Sequence, residues 1–222
     1  MDEPNRMSQA ATPPTIARRG LCLILSAPSG AGKTAITDAL IAVEPDLGRS
    51  VSVTTRAPRG NEIDGVHYHF LTEARFAEAE QAGELLEWAR VLQGTHAYGT
   101  PRAPVELALA EGRDLVFDID WQGHRALREK LPHDVVSVFI LPPSLAALEG
   151  RLRNRAGDNA AEIARRMAVA HDEISHWAEF DHVVVNDDLT AAIGAVRAIL
   201  HAVRLATARQ IGAAGFVRGL VG

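Results

Sequence analysis

The stretch Ser26-Ala27-Pro28-Ser29-Gly30-Ala31-Gly32-Lys33-Thr34 has the residue types and spacing needed to hold an anion. Small side chains at Ala27, Ser29, Gly30, Ala31 and Gly32 let backbone N–H groups converge on a phosphate. A helix opening at Gly32 adds the positive end of its dipole. Lys33 would place a point charge on the β- and γ-phosphates, and the Thr34 hydroxyl would face Mg²⁺. The G-x-x-x-x-G-K-[ST] pattern wants glycine where Ala27 stands, so one torsion there is more restricted. A second constellation follows: Thr54-Thr55-Arg56-x-x-Arg59-x-x-Glu62-x-x-Gly65-x-x-Tyr68-x-Phe70. Its two guanidinium forks suit a dianionic phosphate bidentately, and Tyr68 adds a neutral donor. Read alone, the same residues also fit a solvated loop with ordinary surface arginines.

Positioning these groups requires a strand before the glycine-rich turn and a helix after it. The apolar run Leu21 to Leu25 supplies the first, and Ile36, Leu40 and Val43 at helical spacing supply the second. Residues 1–17 are polar, rich in proline and without periodicity, and are expected to form a disordered tail with no signal-peptide core. Residues 49–54 and 66–70 alternate like strands around a loop, a short helix begins at Thr72, and residues 85–91 form a further strand. Next come a helix near 101–111 and a strand from Asp114 that ends in Asp118 and Asp120. An apolar strand ending in aspartates fits a site supporting Mg²⁺. Residues 135–141 read as a strand buried on both faces, stopped by Pro142-Pro143, with Ser144 capping the next helix. Arg151, Arg153, Arg155, Arg165 and Arg166 surround the breaker Ala156-Gly157-Asp158-Asn159. A last strand at 183–185 and a helix near 189–206 precede glycine-rich residues 208–222, which are expected to fray.

At 222 residues the chain can build one sizeable α/β core. A net charge of −5 gives no basic surplus for general nucleic-acid binding, and no apolar run reaches membrane-spanning length. The single cysteine, Cys22, fits a small core residue in a reducing cytosol, so a cytoplasmic location is expected. The nine histidines show no metal-ligand spacing, and His67 and His69 should occupy the strand face opposite Tyr68.

Taken together, these stretches resemble guanylate kinases. The arginine and tyrosine pattern fits that family's signature at every fixed position. Asp118-Ile119-Asp120-Trp121-Gln122-Gly123, Phe139 to Ser144 and Val185-Asn186-Asp187-Asp188 resemble further family blocks, and the likeness covers about residues 20–205. It implies a three-layer α/β P-loop kinase: a core of residues 18–52 and 101–207, a small mixed GMP-binding region at 53–100 and an arginine-rich lid near 150–166. The implied reaction is ATP + GMP ⇌ ADP + GDP with Mg²⁺. Arg56, Arg59, Tyr68 and Tyr98 would grip the GMP phosphate, and Asp118 would belong to the same site. Glu87 would accept from guanine N1–H and the 2-amino group, while Ser52 and Thr100 would donate to O6. Asn186 would join Ala27 to Thr34 at ATP, with Lys33, Arg155 and Arg166 on the transferred phosphoryl group. Thr34, with Asp118 or Asp120 through water, would serve the metal. Two departures stand out: Thr95-His96-Ala97 makes the segment between Gly94 and Tyr98 one residue longer than the family pattern, and Arg155-Ala156-Gly157 replaces Arg-Gly in the lid. The competing readings are a guanylate-kinase-like interaction module with weak catalysis, or a P-loop kinase for another small phosphorylated acceptor. Homo-oligomerisation is left open.

Overall fold

The structure, a computed structural model, describes residues 16–91, 95–154 and 160–222. The strand β1 (Cys22–Ser26) is buried along its whole length. Its neighbours are β7 (Asp114–Asp118) and β8 (Val135–Leu141), flanked by β2 (Leu47–Arg49) and β9 (His182–Val185). All four pairings are parallel, in the order β2-β7-β1-β8-β9. A parallel sheet needs crossover helices and therefore buries both faces. The sequence complies by alternation. Leu21, Leu23 and Leu25 enter a core with Ile36 and Leu40 of α1 (Lys33–Val43) and with Val196 and Leu200 of α7 (Leu189–Arg204). Cys22 and Ile24 enter the opposite core with Val105 and Leu109 of α3 (Arg102–Ala110) and Leu127 of α4 (Trp121–Lys130).

The expected strand over 49–54 is divided. Leu47–Arg49 pairs in the parallel sheet, while β3 (Val53–Thr54) joins a second sheet with β4 (His69–Phe70), β6 (His96–Pro101) and β5 (Leu85–Val91). Alternation cannot report this break, because residues 50–52 keep the same polar–apolar rhythm while crossing between sheets. The 66–70 strand shrinks to His69–Phe70, since Val66 and His67 turn back onto Ile63. This second sheet packs α2 (Glu73–Gln81) through Phe76, Ala79, Leu85 and Ala97.

Residues 208–222 do not fray as expected: Ala213–Val221 forms helix α8. Glycine lowers helix propensity by about 1 kcal/mol per residue, which hides such a helix from sequence patterning. The segment is anchored by Arg209, whose guanidinium donates to Gly20 O at 2.9 Å and His133 O at 3.1 Å. The expected tail, 1–17, falls outside the described residues except at its end, where Ala17 O accepts from Gly212 N at 2.8 Å.

A buried ionic network ties the outer helix to the sheet. Glu44, at the end of α1, accepts from Arg197 Nε at 2.6 Å and lies 2.7 Å from His201 Nε2, and it also pairs with Arg204. Arg204 Nε bonds Asp114 at 2.7 Å. Burial pushes the Glu44 carboxyl up, but the donors from Arg197, Arg204 and His201 outweigh it and hold it at about 2. A depressed carboxyl stabilises the fold above its unfolded value, and that stability is lost as pH falls through the folded value. Removing one partner of such a network costs about 3 kcal/mol, or about 6–12 °C in a chain of this size. Glu44→Gln should therefore melt lower at pH 7 and lack the component that wild type loses between pH 4.5 and 2. Equal melting of the two proteins at pH 7 would show that the network contributes nothing.

Candidate functional site

Between β1 and α1 the chain turns through Gly30 and Gly32, at φ 94° and 99°. Torsion favours glycine at both positions, and at Gly32 contact requires it as well. A Cβ on Gly32 would lie 2.2 Å from Asn186 Nδ2, and one on Gly30 would lie 3.1 Å from Leu152 and 3.2 Å from Leu148. Leu148 and Leu152 belong to α5 (Leu145–Arg153) and pack with Ala170 of α6 (Ala160–Ser175). Asn186 is buried and donates from Nδ2 to Ala31 O at 2.7 Å. Its own carbonyl accepts from Arg151 Nη2 at 2.9 Å. The loop thus surrounds a cavity of about 560 Å³ lined by residues 27–30 and 32–35, Arg151 and Glu173.

A second cavity, about 230 Å³, lies under the small sheet. Ser52, Tyr68, Glu87, Tyr98, Asp118 and Asp120 line it, together with the start of α4. Asp120 is committed to capping that helix, accepting from Gly123 N at 2.9 Å. Asp118 instead pairs with Lys33 of the first cavity, so the two cavities meet at this ion pair. Thr100 is fully buried and its hydroxyl donates to Glu87 Oε1 at 2.5 Å. That single proton is therefore engaged by the carboxylate and not presented to the cavity. Burial pushes the Glu87 carboxyl up, the Thr100 donor pulls it down and Asp120 pushes it up again.

Arg56 is buried and already occupied. Nη1 and Nη2 fork onto Glu62 at 2.9 Å each, Nε donates to Tyr98 Oη at 3.2 Å, and the guanidinium lies 5.3 Å from the Tyr68 ring centre. Arg56, Tyr68 and Tyr98 are thus brought together, although Tyr98 follows the longer segment. Arg59 is not with them: it is exposed on the loop, with its backbone N–H donating to Glu62 at 2.7 Å. Arg166 reaches the phosphate loop, its Nη1 3.5 Å from Ser29 Oγ. Arg155 lies outside the described residues. Sequence reasoning missed Arg151 as a lining residue and missed Glu173 entirely. The available signal for Glu173 was spacing, since it follows Arg166 by two helical turns and shares its face.

A parallel sheet whose first strand runs through a glycine turn into a helix, with a lysine at the turn and a second polar cavity beside it, defines a P-loop kinase. The family model for guanylate kinase matches residues 19–203. The chain is 63% identical over 193 residues to a guanylate kinase of Gluconobacter oxydans, covering 87% of this chain and 92% of that one. It is 56% identical over 213 residues to one of Rhodospirillum rubrum, covering 96% and 97%. Among solved structures, guanylate kinase from Anaplasma phagocytophilum superimposes with a TM-score of 0.72 at 34% identity, covering 92% and 96%. The chain belongs to the guanylate kinase family.

The Thr100–Glu87 bond can be tested without substrate. Removing its hydroxyl leaves burial and Asp120 unopposed, so Thr100→Val should move the Glu87 carboxyl further up in an NMR titration. A Glu87 titration unchanged by Thr100→Val would show that the hydroxyl does not stabilise the carboxylate.

Proposed function

We propose that this enzyme transfers the γ-phosphoryl group of ATP to GMP, giving ADP and GDP. The observation that carries the reading is the junction of the two cavities at Lys33 and Asp118. One cavity offers backbone donors and a lysine to a polyphosphate; the other offers a carboxylate and tyrosines to a nucleotide of the opposite demand. Glu87 is the group suited to guanine, which presents two adjacent donors at N1 and the 2-amino group, whereas adenine has no 2-amino group and no N1 proton. A buried carboxylate left without those donors costs several kcal/mol, by order of magnitude, which would reject AMP. Thr100 acts through Glu87, holding the carboxylate for the base, and Ser52 remains at the cavity wall as a donor to O6. Arg56, with Tyr68 and Tyr98, is assigned to the GMP phosphate, which would take the place of Glu62 on the guanidinium fork. Arg59 would have to swing in from the exposed loop to join it. Arg166 and Arg155 are assigned to the transferred group as the closing lid.

Lys33 stabilises charge on the phosphoryl oxygens, and it must exchange Asp118 for them when ATP enters. The acceptor is an ionised phosphate, so no strong general base is needed. The donors near the loop suit a hard cation: Thr34 is exposed at the cavity, and Asp118 is about two-fifths exposed beside it. Thr34, with Asp118 beside it, would hold Mg²⁺ arriving with ATP, which would supply positive charge against the negative charge developing on the phosphates. Asp120 is less suited to serve it, being held as the α4 cap. Asn186 supports the ATP site by fixing the loop carbonyl at Ala31. The division into a core of 18–52 and 101–207, a GMP-binding region of 53–100 and a lid near 150–166 follows the same assignment. No described helix is long and apolar enough to cross a membrane, and we assign the enzyme to the cytoplasm. The interaction-module reading is not favoured, because the loop keeps Lys33, Thr34 and an open cavity above them.

Lys33→Ala should fold and melt like wild type, since its side chain lines a cavity and fills no core. Its kcat should fall by about a thousandfold, because the charge acts on charge developing in the transition state. Turnover of GMP near the wild-type rate in a coupled ADP-release assay would refute the proposed reaction.

A further inference from the structure

Glu173 presents a negative charge to a cavity that we assign to the phosphates of ATP. It stands on α6, on the face that carries Arg166, and it also lines the adjoining cavity formed by Ser29, Arg165 and Arg166. Its Oε2 is shielded from solvent and has no hydrogen-bond partner, the only such carboxylate oxygen among the described residues. Burial pushes the Glu173 carboxyl up, against the pull of Lys33 and the Ser29 backbone N–H, and Asp120 and Asp172 push in the same direction as burial.

A buried acceptor without a donor is unfavourable until a donor arrives. The phosphates of ATP cannot supply one, since they are acceptors and carry the same sign of charge. Lys33, the ammonium within the cavity, is engaged by Asp118. Once the side chain turns Oε2 into the cavity, what can satisfy it is the hydration shell of a cation that enters with the nucleotide, because magnesium gives up its waters reluctantly and presents them as donors. The described residues contain no group of three or more His, Cys, Asp or Glu side chains able to hold a metal ion on their own. The ion would therefore come with ATP and would need an outer acceptor more than a direct ligand.

We propose that Glu173 is a specificity residue that makes the P-loop favour magnesium-complexed ATP over free ATP. The proposal rests on the P-loop cavity being the ATP site. Free ATP meets the carboxylate as a like charge and leaves Oε2 unpaired. Magnesium-complexed ATP offsets that charge and brings donors to the same oxygen. The residue thus weakens binding of the unproductive form of the nucleotide and supports the productive one.

The test is calorimetric titration of ATP into wild type and Glu173→Gln, once with excess Mg²⁺ and once with EDTA, giving the ratio of the two Kd values for each protein. Glu173→Gln should bind free ATP more tightly and magnesium-complexed ATP no better, so the ratio falls by about three- to tenfold, as expected for loss of one charge partly screened by water. Glu173→Ala should lower the ratio likewise, and it provides the readout if the amide variant fails to fold. Glu173→Asp should retain a ratio nearer to wild type, and GMP affinity should be the same in all of the proteins. An unchanged ratio in both neutral variants would overturn the proposal, as would equal weakening of both forms of ATP. If wild type binds ATP and phosphorylates GMP in either of these cases, only this inference fails. If wild type binds no ATP in either titration, the assignment of the P-loop cavity fails with it.

Discussion

The phosphate loop can present its backbone to an anion because two other elements pack closely against it, one of them, at Gly32, more closely than any side chain would allow. Gly32 lies against Asn186, and Gly30 lies against the leucines of α5. These contacts fix the loop from two sides: one from the end of β9, the other from the packed pair of helices α5 and α6. The parallel sheet supplies the rigidity, with β1 buried on both faces and hydrogen-bonded on both edges. An alanine at either glycine would need a left-handed torsion, and at Gly32 it would also need space that Asn186 already fills. Close backbone approach is thus the constraint from which the loop cavity, the contact with α5 and the placement of Lys33 follow.

Electrostatically, the cations of the site are paired within the chain. Arg56 is forked onto Glu62 and Lys33 is paired with Asp118. A substrate phosphate would therefore replace a carboxylate at each cation, which makes binding an exchange and not a simple gain. Glu62 is held at about 2 by Arg56 and by the Arg59 backbone N–H, so it does not leave by protonation near neutral pH. A phosphate must carry more charge, or better geometry, to displace it. Such an exchange discriminates against weak anions, and it suits a nucleotide phosphate that can also reach the hydroxyls of Tyr68 and Tyr98.

Local chemistry was legible in the sequence wherever the chain itself supplies the geometry. The loop from Ala27 to Thr34, the strand before it and the helix after it are consecutive, so pattern and structure coincide. The central strands could be read from their unbroken apolar runs, because a parallel sheet buries both faces of each strand. Long-range partners left no local trace. The donor from Thr100 to Glu87 crosses between neighbouring strands, and its 0% exposure depends on packing over the small sheet. Ser50 to Ser52 change sheets without changing rhythm, and α8 forms despite its glycines because Arg209 and Ala17 hold the preceding turn. In the sequence Glu173 is one more charge on an amphipathic helix; only the approach of α6 to Ser29 sets it apart.

The central claim is that Glu87 reads guanine beside a P-loop that delivers the phosphoryl group. It is tested most directly by kcat/KM for GMP and for AMP, in wild type and Glu87→Gln, at saturating ATP with Mg²⁺. The account predicts that wild type strongly prefers GMP and that Glu87→Gln loses about one to two decades with GMP, the worth of a charge-assisted hydrogen bond in a closed site. KM for ATP should be unchanged, because ATP binds in the other cavity. GMP kinetics unaltered by Glu87→Gln, with AMP still rejected, would contradict it.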